Sequence, residues 1–361
     1  MTNRKPTSLD IAYLAGVSQA TVSRALRDSK LVSEATRKRV KEVARELNYR
    51  TDRNAASLRS QKAQTIALLI FEDPTSDSSH INPFFLRMLG TITRAASRRG
   101  YDLLVSFQQM SQDWHTEYER SNRADGIILL GYGDYTRYGH KLQSLADADA
   151  NFVIWGPVLE NQPGHRIGSD NRLGAREATR HLLKLGREKI AFIGDVSDRC
   201  PEFRLRYTGY LEALREAGIE ADTDAQVNAD NREGDGREAV EVLRQRGVAF
   251  DAIVTASDLM AIGAIQALNA SGMQVPNDVA VVGFDDIPAA SYISPALTTV
   301  HQDTALAGRT LVDNLLAMID GQPVQSSLIP LELMVRESCG ATLAEAQENS
   351  GKPKRLRAVD R

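Results

Sequence analysis

Two residue types suited to reading nucleobases lie five positions apart in AGVSQATVSRAL, residues 15–26. Gln19 and Arg24 carry paired hydrogen-bonding groups that match adenine and guanine edges in a major groove, and Thr21 and Ser23 suit phosphate oxygens. They can act together only if Gln19, Ala20, Ser23 and Arg24 share an outward face while Val22 and Leu26, four apart, turn inward with Val17. Local signals predict that arrangement. Gly16 allows a tight turn, and Ser18 caps a helix over 19–26. The pattern Thr7-x-x-Asp10 starts an earlier helix, whose Ile11, Ala12 and Ala15 receive the apolar stripe. A third helix, read over 33–48, turns Val40, Val43, Ala44 and Leu47 inward and places Arg37, Lys38, Arg39 and Lys41 beside a phosphate backbone. Three short helices with a glycine turn give a helix-turn-helix. A generic capped helix pair has the same spacing, so charge has to separate the two.

The 361-residue chain has a net charge of only −3. Residues 1–62 nevertheless hold 14 Lys and Arg against 6 Asp and Glu, a net of +8, while residues 63–340 hold 25 against 38, a net of −13. A basic head on an acidic body is expected when one part meets phosphates and the rest does not. With 42% apolar residues and no apolar run of membrane-spanning length, the chain reads as soluble, with no membrane partner. MTNRKPTSLD lacks the apolar core of a secretory signal, and two cysteines are too few for a disulfide framework, so a reducing cytoplasm is expected.

Residues 51–63 are polar, small and basic, the composition of a linker that forms a helix only in company. From residue 64 onward TIALLIF, YDLLVSF, GIILLG, NFVIWG, KIAFIG, DAIVTAS and DVAVVGFD alternate with helical stretches, as in parallel sheets flanked by helices. Two such sheets fit the strand number.

DIAYLAGVSQATVSRAL resembles the N-terminal signature of the lac repressor / galactose repressor family of bacterial transcription factors. Further matching segments include SDNRLGAREATRHLLKLGREKIAFIGD, VPNDVAVVGFDDIP and LTTVHQD, and the resemblance covers roughly nine tenths of the chain. It implies an α/β protein: a helix-turn-helix head (1–50), a hinge helix (51–63), then a two-lobed periplasmic-binding-protein-like core of two doubly wound parallel sheets. The lobes are expected at 64–164 plus 295–325 and at 165–294 plus 326–340, followed by a disordered basic tail (341–361) whose KPKRLR adds a little nonspecific DNA affinity.

The resemblance also implies roles. Gln19, Ala20 and Arg24 would set operator preference, with Thr7, Ser18, Thr21 and Ser23 completing the DNA-binding set. Ala55 and Leu58 would lie on the hinge helix, Leu58 wedging between central base pairs in the minor groove. Where the family has Pro-Asn before this helix, the chain has Thr51-Asp52, which predicts weaker hinge ordering without DNA. A small ligand would lie between the lobes, at the carboxyl ends of the strands. Phe84 and Trp155 offer faces for sugar C–H surfaces; Arg206, Asp285 and Gln302 offer groups for paired hydroxyls. Arg206 matches the family's effector clamp and Asp285 its inter-lobe carboxylate. Core packing for the two aromatics, and a capping role for Asp285, remain alternatives. Ser257 and Asp258 are weaker effector candidates, because they could simply cap the helix LMAIGAIQAL, and Ser257 stands where many relatives have Asn.

FEDPTSDSSHINPFF, VIWGP and PEFRLRYTGY look like family members linked to α-glucosides such as maltose, so an α-glucoside, glucose or a related sugar is the expected effector. A nucleobase, a phosphorylated metabolite or a corepressor protein stays open. The tail has no leucine heptads, which predicts a homodimer rather than a tetramer. GYGDYTRYG lacks the third glycine of a dinucleotide loop, six scattered histidines show no metal spacing, and no nucleophile motif is present. No enzymatic activity, cofactor or metal is expected. The whole reads as a repressor of carbohydrate-utilisation genes on a palindromic operator, at the nucleoid when bound to DNA. The rival is a cytoplasmic sugar receptor whose head docks to a protein or a membrane.

Overall fold

The computed structural model describes residues 6–49, 62–71, 81–107, 113–131, 135–159 and 162–341. Ala55 and Leu58, the Thr51-Asp52 step, most of FEDPTSDSSH and the basic tail lie outside the described residues. The chain divides into two compact units, 1–63 and 64–361.

In the first unit the caps form as the sequence predicts. Helix α1 (Ser8–Ala15) opens on a capping box: the Asp10 amide donates to Thr7 Oγ1 at 3.4 Å, and the Thr7 amide donates to Asp10 Oδ2 at 2.7 Å. Gly16 ends it at φ 60°, ψ 40°, a left-handed conformation that a side chain would disfavour. Helix α2 (Gln19–Leu26) starts on Ser18, whose Oγ accepts from the Thr21 amide at 3.1 Å. Helix α3 (Glu34–Glu46) starts likewise on Ser33. Ile11, Ala15, Val22, Ala25 and Val40 form a core that is almost wholly buried, with Val17, Leu26, Val43 and Leu47 packed around it. Lys41 pairs with Asp28 at 2.5 Å, and Arg37 donates to the Asp28 and Ser29 carbonyls, so part of the basic face of α3 braces the loop before it.

The second unit has two six-stranded sheets. In chain order the described elements are β1 (Thr65–Ile70), α4 (Pro83–Arg98), β2 (Asp102–Phe107), a π-helical turn (His115–Arg120), β3 (Gly126–Leu130), α5 (Tyr135–Asp147), β4 (Phe152–Trp155) and β5 (His165–Ser169). Then come α6 (Asn171–Lys184), β6 (Ile190–Ile193), α7 (Pro201–Glu216), β7 (Gln226–Val227), α8 (Glu233–Gln245), β8 (Ala252–Thr255), α9 (Asp258–Ala270) and β9 (Ala280–Asp285). The last are β10 (Thr298–Gln302), α10 (Thr304–Ile319), β11 (Ser327–Ile329) and β12 (Leu331–Met334).

The first sheet runs β11-β5-β4-β3-β1-β2, all parallel. Alternate residues of its apolar strands face opposite sides: Ile66, Leu68, Ile128 and Leu130 join one cluster with Phe84, Met88, Ile92 and Leu311, while Ala67, Leu69, Ile127 and Leu129 join another with Trp114, Tyr138 and Leu142. Burial on both faces is why these strands read as continuous apolar runs. The second sheet runs β12-β10-β9-β8-β6-β7, parallel except for the antiparallel β10–β12 pair.

The chain passes between the sheets at Asp170, Asp303 and Pro330, between β5 and α6, β10 and α10, and β11 and β12. The predicted lobe limits are therefore displaced. Residues 165–169 and 327–329 belong with the first sheet rather than the second, and β10 pairs in the second sheet rather than the first. These strands are short and partly polar, so pairing partners rather than apolar content decide where they belong. Two crossings carry an aspartate cap: Asp170 Oδ1 accepts from the Leu173 amide at 2.9 Å, and Asp303 Oδ1 from Ala305 and Leu306 at 3.0 and 2.9 Å.

Candidate nucleic-acid interface and ligand crevice

Burial of Val22 and Ala25 fixes the rotation of α2, and that leaves Ser18, Gln19, Ala20 and Arg24 exposed, with Thr21 and Ser23 at the margin of the same face. Ser18 Oγ lies 2.9 Å from Thr21 Oγ1, so both hydroxyls help to hold the first turn. Gln19 Nε2 donates to Ser8 Oγ at 2.8 Å, which ties the side chain to α1, and Arg27 braces Ser23 through its carbonyl and hydroxyl. The Arg24 side chain makes no hydrogen bond or ion pair with the described residues, and its carbonyl accepts from the Ser29 amide at 3.0 Å. A guanidinium held on a rigid turn and left uncommitted can form a fork to a guanine edge at little reorganisation cost. Thr7 is half-buried and stays bound up in its capping box with Asp10.

The crevice is built where both sheets end. Trp155 closes β4 and Ser169 closes β5, both from the first lobe, while Asn171, Glu202, Arg206 and Gln302 line it from α6, α7 and β10. Arg206, 1% exposed, is the hub. Its Nε donates to Asn171 Oδ1 at 2.8 Å, its Nη1 donates to the Ala256 carbonyl and lies 3.5 Å from Asp285 Oδ1, and its guanidinium sits 3.7 Å from the centre of the Phe284 ring. Gln302 Nε2 donates to Asp285 Oδ1 at 2.7 Å. Charge pairing, cation–π contact and bonds to neutral acceptors compensate for desolvation of the arginine. Ser169 Oγ is buried and has no hydrogen-bond partner among the described residues.

Asp285 is presented by a strained turn. Its φ is 111° and that of Asp286 is 53°, conformations that non-glycine residues hold only when their surroundings over-determine them. Asp258 supplies one restraint from beneath: it accepts from the Ile287 amide at 2.8 Å and from Thr299 Oγ1. Gly283 makes room for it, since a Cβ there would stand 2.3 Å from Asp258 Oδ1. Burial, and then repulsion from Asp285, push the Asp258 carboxyl well above its usual range. Asp286 supplies the other restraint. Burial alone would raise its carboxyl, but hydrogen bonds from His301 at 2.8 Å and Arg336 at 2.6 Å outweigh that and hold it below the usual range.

Residues 7–52 match bacterial regulatory proteins, lacI family, and residues 179–339 match a periplasmic binding protein-like domain. The HTH-type transcriptional regulator CelR of Thermobifida fusca is 35% identical over 346 residues, 93% of this chain and 98% of its own. The chain belongs to the LacI family. Another member, the ribose operon repressor of Escherichia coli, is 31% identical over 92% of this chain and 98% of its own. Among solved structures, a lac repressor dimer bound to operator and the anti-inducer ONPF superposes with a TM-score of 0.81 at 28% identity, over 94% of this chain and 100% of its own. A CelR–cellobiose complex superposes with a TM-score of 0.67 at 33% identity, over 92% and 99%. This LacI-family protein is a DNA-binding transcription regulator and not an enzyme, and the match at 7–52 disfavours a head that docks to a protein or a membrane.

Of the residues singled out from sequence, Trp155, Arg206 and Gln302 line the crevice of this LacI-family core, and Asp285 stands behind them, 3.5 Å from Arg206 Nη1 and accepting from Gln302 Nε2. Phe84 does not line it. It is 1% exposed and packs at 5.9 Å from Trp155 and 5.2 Å from Phe85, a core aromatic behind the lining ring. Ser257 caps α9 through the Met260 amide, and Asp258 braces the turn after β9, so neither reaches the crevice wall. Five lining residues were missed: Gly156, Gly168, Ser169, Asn171 and Glu202. Ser169 and Asn171 stand in the family segment SDNRLGAREATRHLLKLG, and Glu202 in PEFRLRYTGY, one of the segments that resemble α-glucoside-linked members; those resemblances were the available signal.

Proposed function

We propose that this LacI-family regulator represses carbohydrate-utilisation genes by binding a pseudo-palindromic operator as a homodimer, and that a small sugar held between the core lobes modulates that binding. The supporting observation is the buried Arg206–Asp285–Gln302 network, which meets Trp155 beside two of the three chain crossings between the lobes, those at Asp170 and Asp303. A ligand there touches groups from both sheets, so its binding energy depends on how the lobes are set, which is the requirement for coupling. On the DNA side Gln19, Ala20 and Arg24 read base edges while Thr7, Ser18, Thr21 and Ser23 serve the phosphates. Two heads carry two-fold symmetry onto the half-sites, with Ala55 and Leu58 contributing from the hinge. The working place is the bacterial cytoplasm, on the nucleoid while operator is held; among the described residues no helix is long and apolar enough to cross a membrane.

An α-glucoside or glucose is the proposed effector, on the strength of the segments VIWGP and PEFRLRYTGY. Selection from a random duplex pool, followed by anisotropy titration, tests the reading. Log affinity for the selected duplex is expected to fall linearly and steeply with log salt. An effective sugar from a panel of glucose and α-linked disaccharides is expected to change operator affinity about 5- to 150-fold. Flat salt dependence would remove the DNA reading. Calorimetric binding of every sugar with no change in operator affinity would remove the regulatory one.

A further inference from the structure

We propose that Ser169 is a specificity-determining residue of the crevice: its hydroxyl pairs with one hydroxyl of an uncharged sugar and selects against the same sugar lacking that group. This rests on the reading of the crevice as the effector site. Ser169 is the last residue of β5, is 3% exposed and lines the crevice together with Trp155. Its Oγ is buried and has no hydrogen-bond partner among the described residues. A serine hydroxyl has one proton to give and two lone pairs, and keeping it buried without a bond costs stability. Helix capping does not account for it, because α6 takes its cap from Asp170. A bound molecule that completes the bond does account for it.

Strand register sets the direction of the side chain. Trp155 on β4 pairs with Ile167 on β5, and both join the same core cluster. Alternate strand residues share a face, so Ser169 leaves the sheet on the Trp155 side, two residues further along the strand toward the crevice. Its position is held from two sides. The Gly156 amide donates to the Ile167 carbonyl at 3.0 Å, and a Cβ on Gly168 would stand 2.0 Å from the Gly156 carbonyl oxygen, so the end of β5 is packed tightly on the turn after β4. The Ser169 carbonyl accepts from Asn171 Nδ2 at 3.1 Å, and Asn171 Oδ1 accepts from Arg206 Nε at 2.8 Å. The hydroxyl therefore stands at a set place relative to Trp155 and Arg206, as a discriminating contact requires. A sugar whose C–H surface meets the Trp155 ring brings its hydroxyls to the edge of that ring, where Ser169 can give a proton to one or accept from it. The same sugar without that hydroxyl leaves the serine unpaired, and the lost bond is the discrimination.

The full-length protein is titrated calorimetrically with glucose, maltose and trehalose, and then with the monodeoxy derivatives of whichever sugar binds. Ser169→Ala is expected to weaken binding of the parent sugar about 5- to 150-fold. One monodeoxy derivative is expected to lose about as much on wild type, and to bind wild type and Ser169→Ala alike. Without sugar the variant should melt no lower than wild type, because it removes a buried hydroxyl that has no partner among the described residues. A melting temperature lower by more than about 4 °C would mean that the hydroxyl is committed inside the protein, and would overturn the inference. An unchanged affinity for the parent sugar would overturn it too. So would an equal loss for the parent and for every derivative, which marks a change of shape and not a lost bond. No binding of any of the three sugars, in wild-type protein that still holds its operator, would overturn the sugar-effector reading and this inference with it.

Discussion

The proposed base-reading face of α2 and the proposed effector crevice between the lobes are opposite solutions to recognition. In the head, the reading residues sit within six positions of one another, exposed, on a helix whose rotation is fixed by two buried side chains, Val22 and Ala25. In the crevice, Trp155, Ser169, Arg206, Asp285 and Gln302 come from segments spread over nearly 150 positions, and all are at most 3% exposed. A short capped helix can display groups to a large partner that supplies its own shape. A small ligand has to be surrounded, so its site is built from distant parts and its charges are balanced internally.

The difference can be tested by breaking each site in turn. The largest expected effect is at Arg206: replacement by Ala leaves Asp285 buried without its cation and should cost about 3–5 kcal/mol of body stability, together with loss of sugar binding. Urea midpoints and calorimetry would show it, and a stability change under about 1 kcal/mol would mean that the pair is not internally compensated. Arg24→Ala should cost about 1–3 kcal/mol of discrimination between operator and mismatched duplex while leaving effector affinity and thermal stability unchanged. Competition anisotropy measures this. If sugar affinity fell and operator discrimination did not, the separation of the two sites would be wrong.

A smaller effect is expected at the cap of α2. Ser18→Ala should destabilise the head by about 1 kcal/mol, because the Thr21 amide loses its acceptor, and local hydrogen exchange in α2 would rise while the body stays protected. The smallest is a pH effect at Asp258. Its carboxyl is raised by burial, so the native state holds its proton more tightly than the unfolded chain; the associated stability is present at low pH and is lost as pH rises through the folded value. Asp258→Asn has no such proton to lose, and should flatten that part of the dependence of the denaturation midpoint on pH. An identical slope in both proteins would refute the shift.

The legibility of the two regions differs for the same reason. Thr7, Asp10, Gly16 and Ser18 act on amides within a few residues, so the head could be read to within a residue or two at most helix ends. In the body, strands buried on both faces, such as TIALLI and GIILL, were recognisable as apolar runs. HRIGS was not, because it contains a buried arginine and little apolar content, and QV and SLI are too short for any pattern. Missing β5 also displaced the lobe limit by five residues.

The sequence alone determined the basic head, the face that α2 turns outward and the alternation that folds into two parallel-dominated sheets, because each follows from contacts between near neighbours or from periodic burial. Tertiary structure decided that Phe84 is core, that Asp258 braces a turn, that the buried Ser169 hydroxyl has no partner among the described residues and that Glu202 stands on the crevice wall. No local rule could rank these residues. Whether a carboxylate caps a helix, props a loop or faces a ligand depends on what segments far away in sequence bring to within hydrogen-bonding distance, and on how much water they exclude.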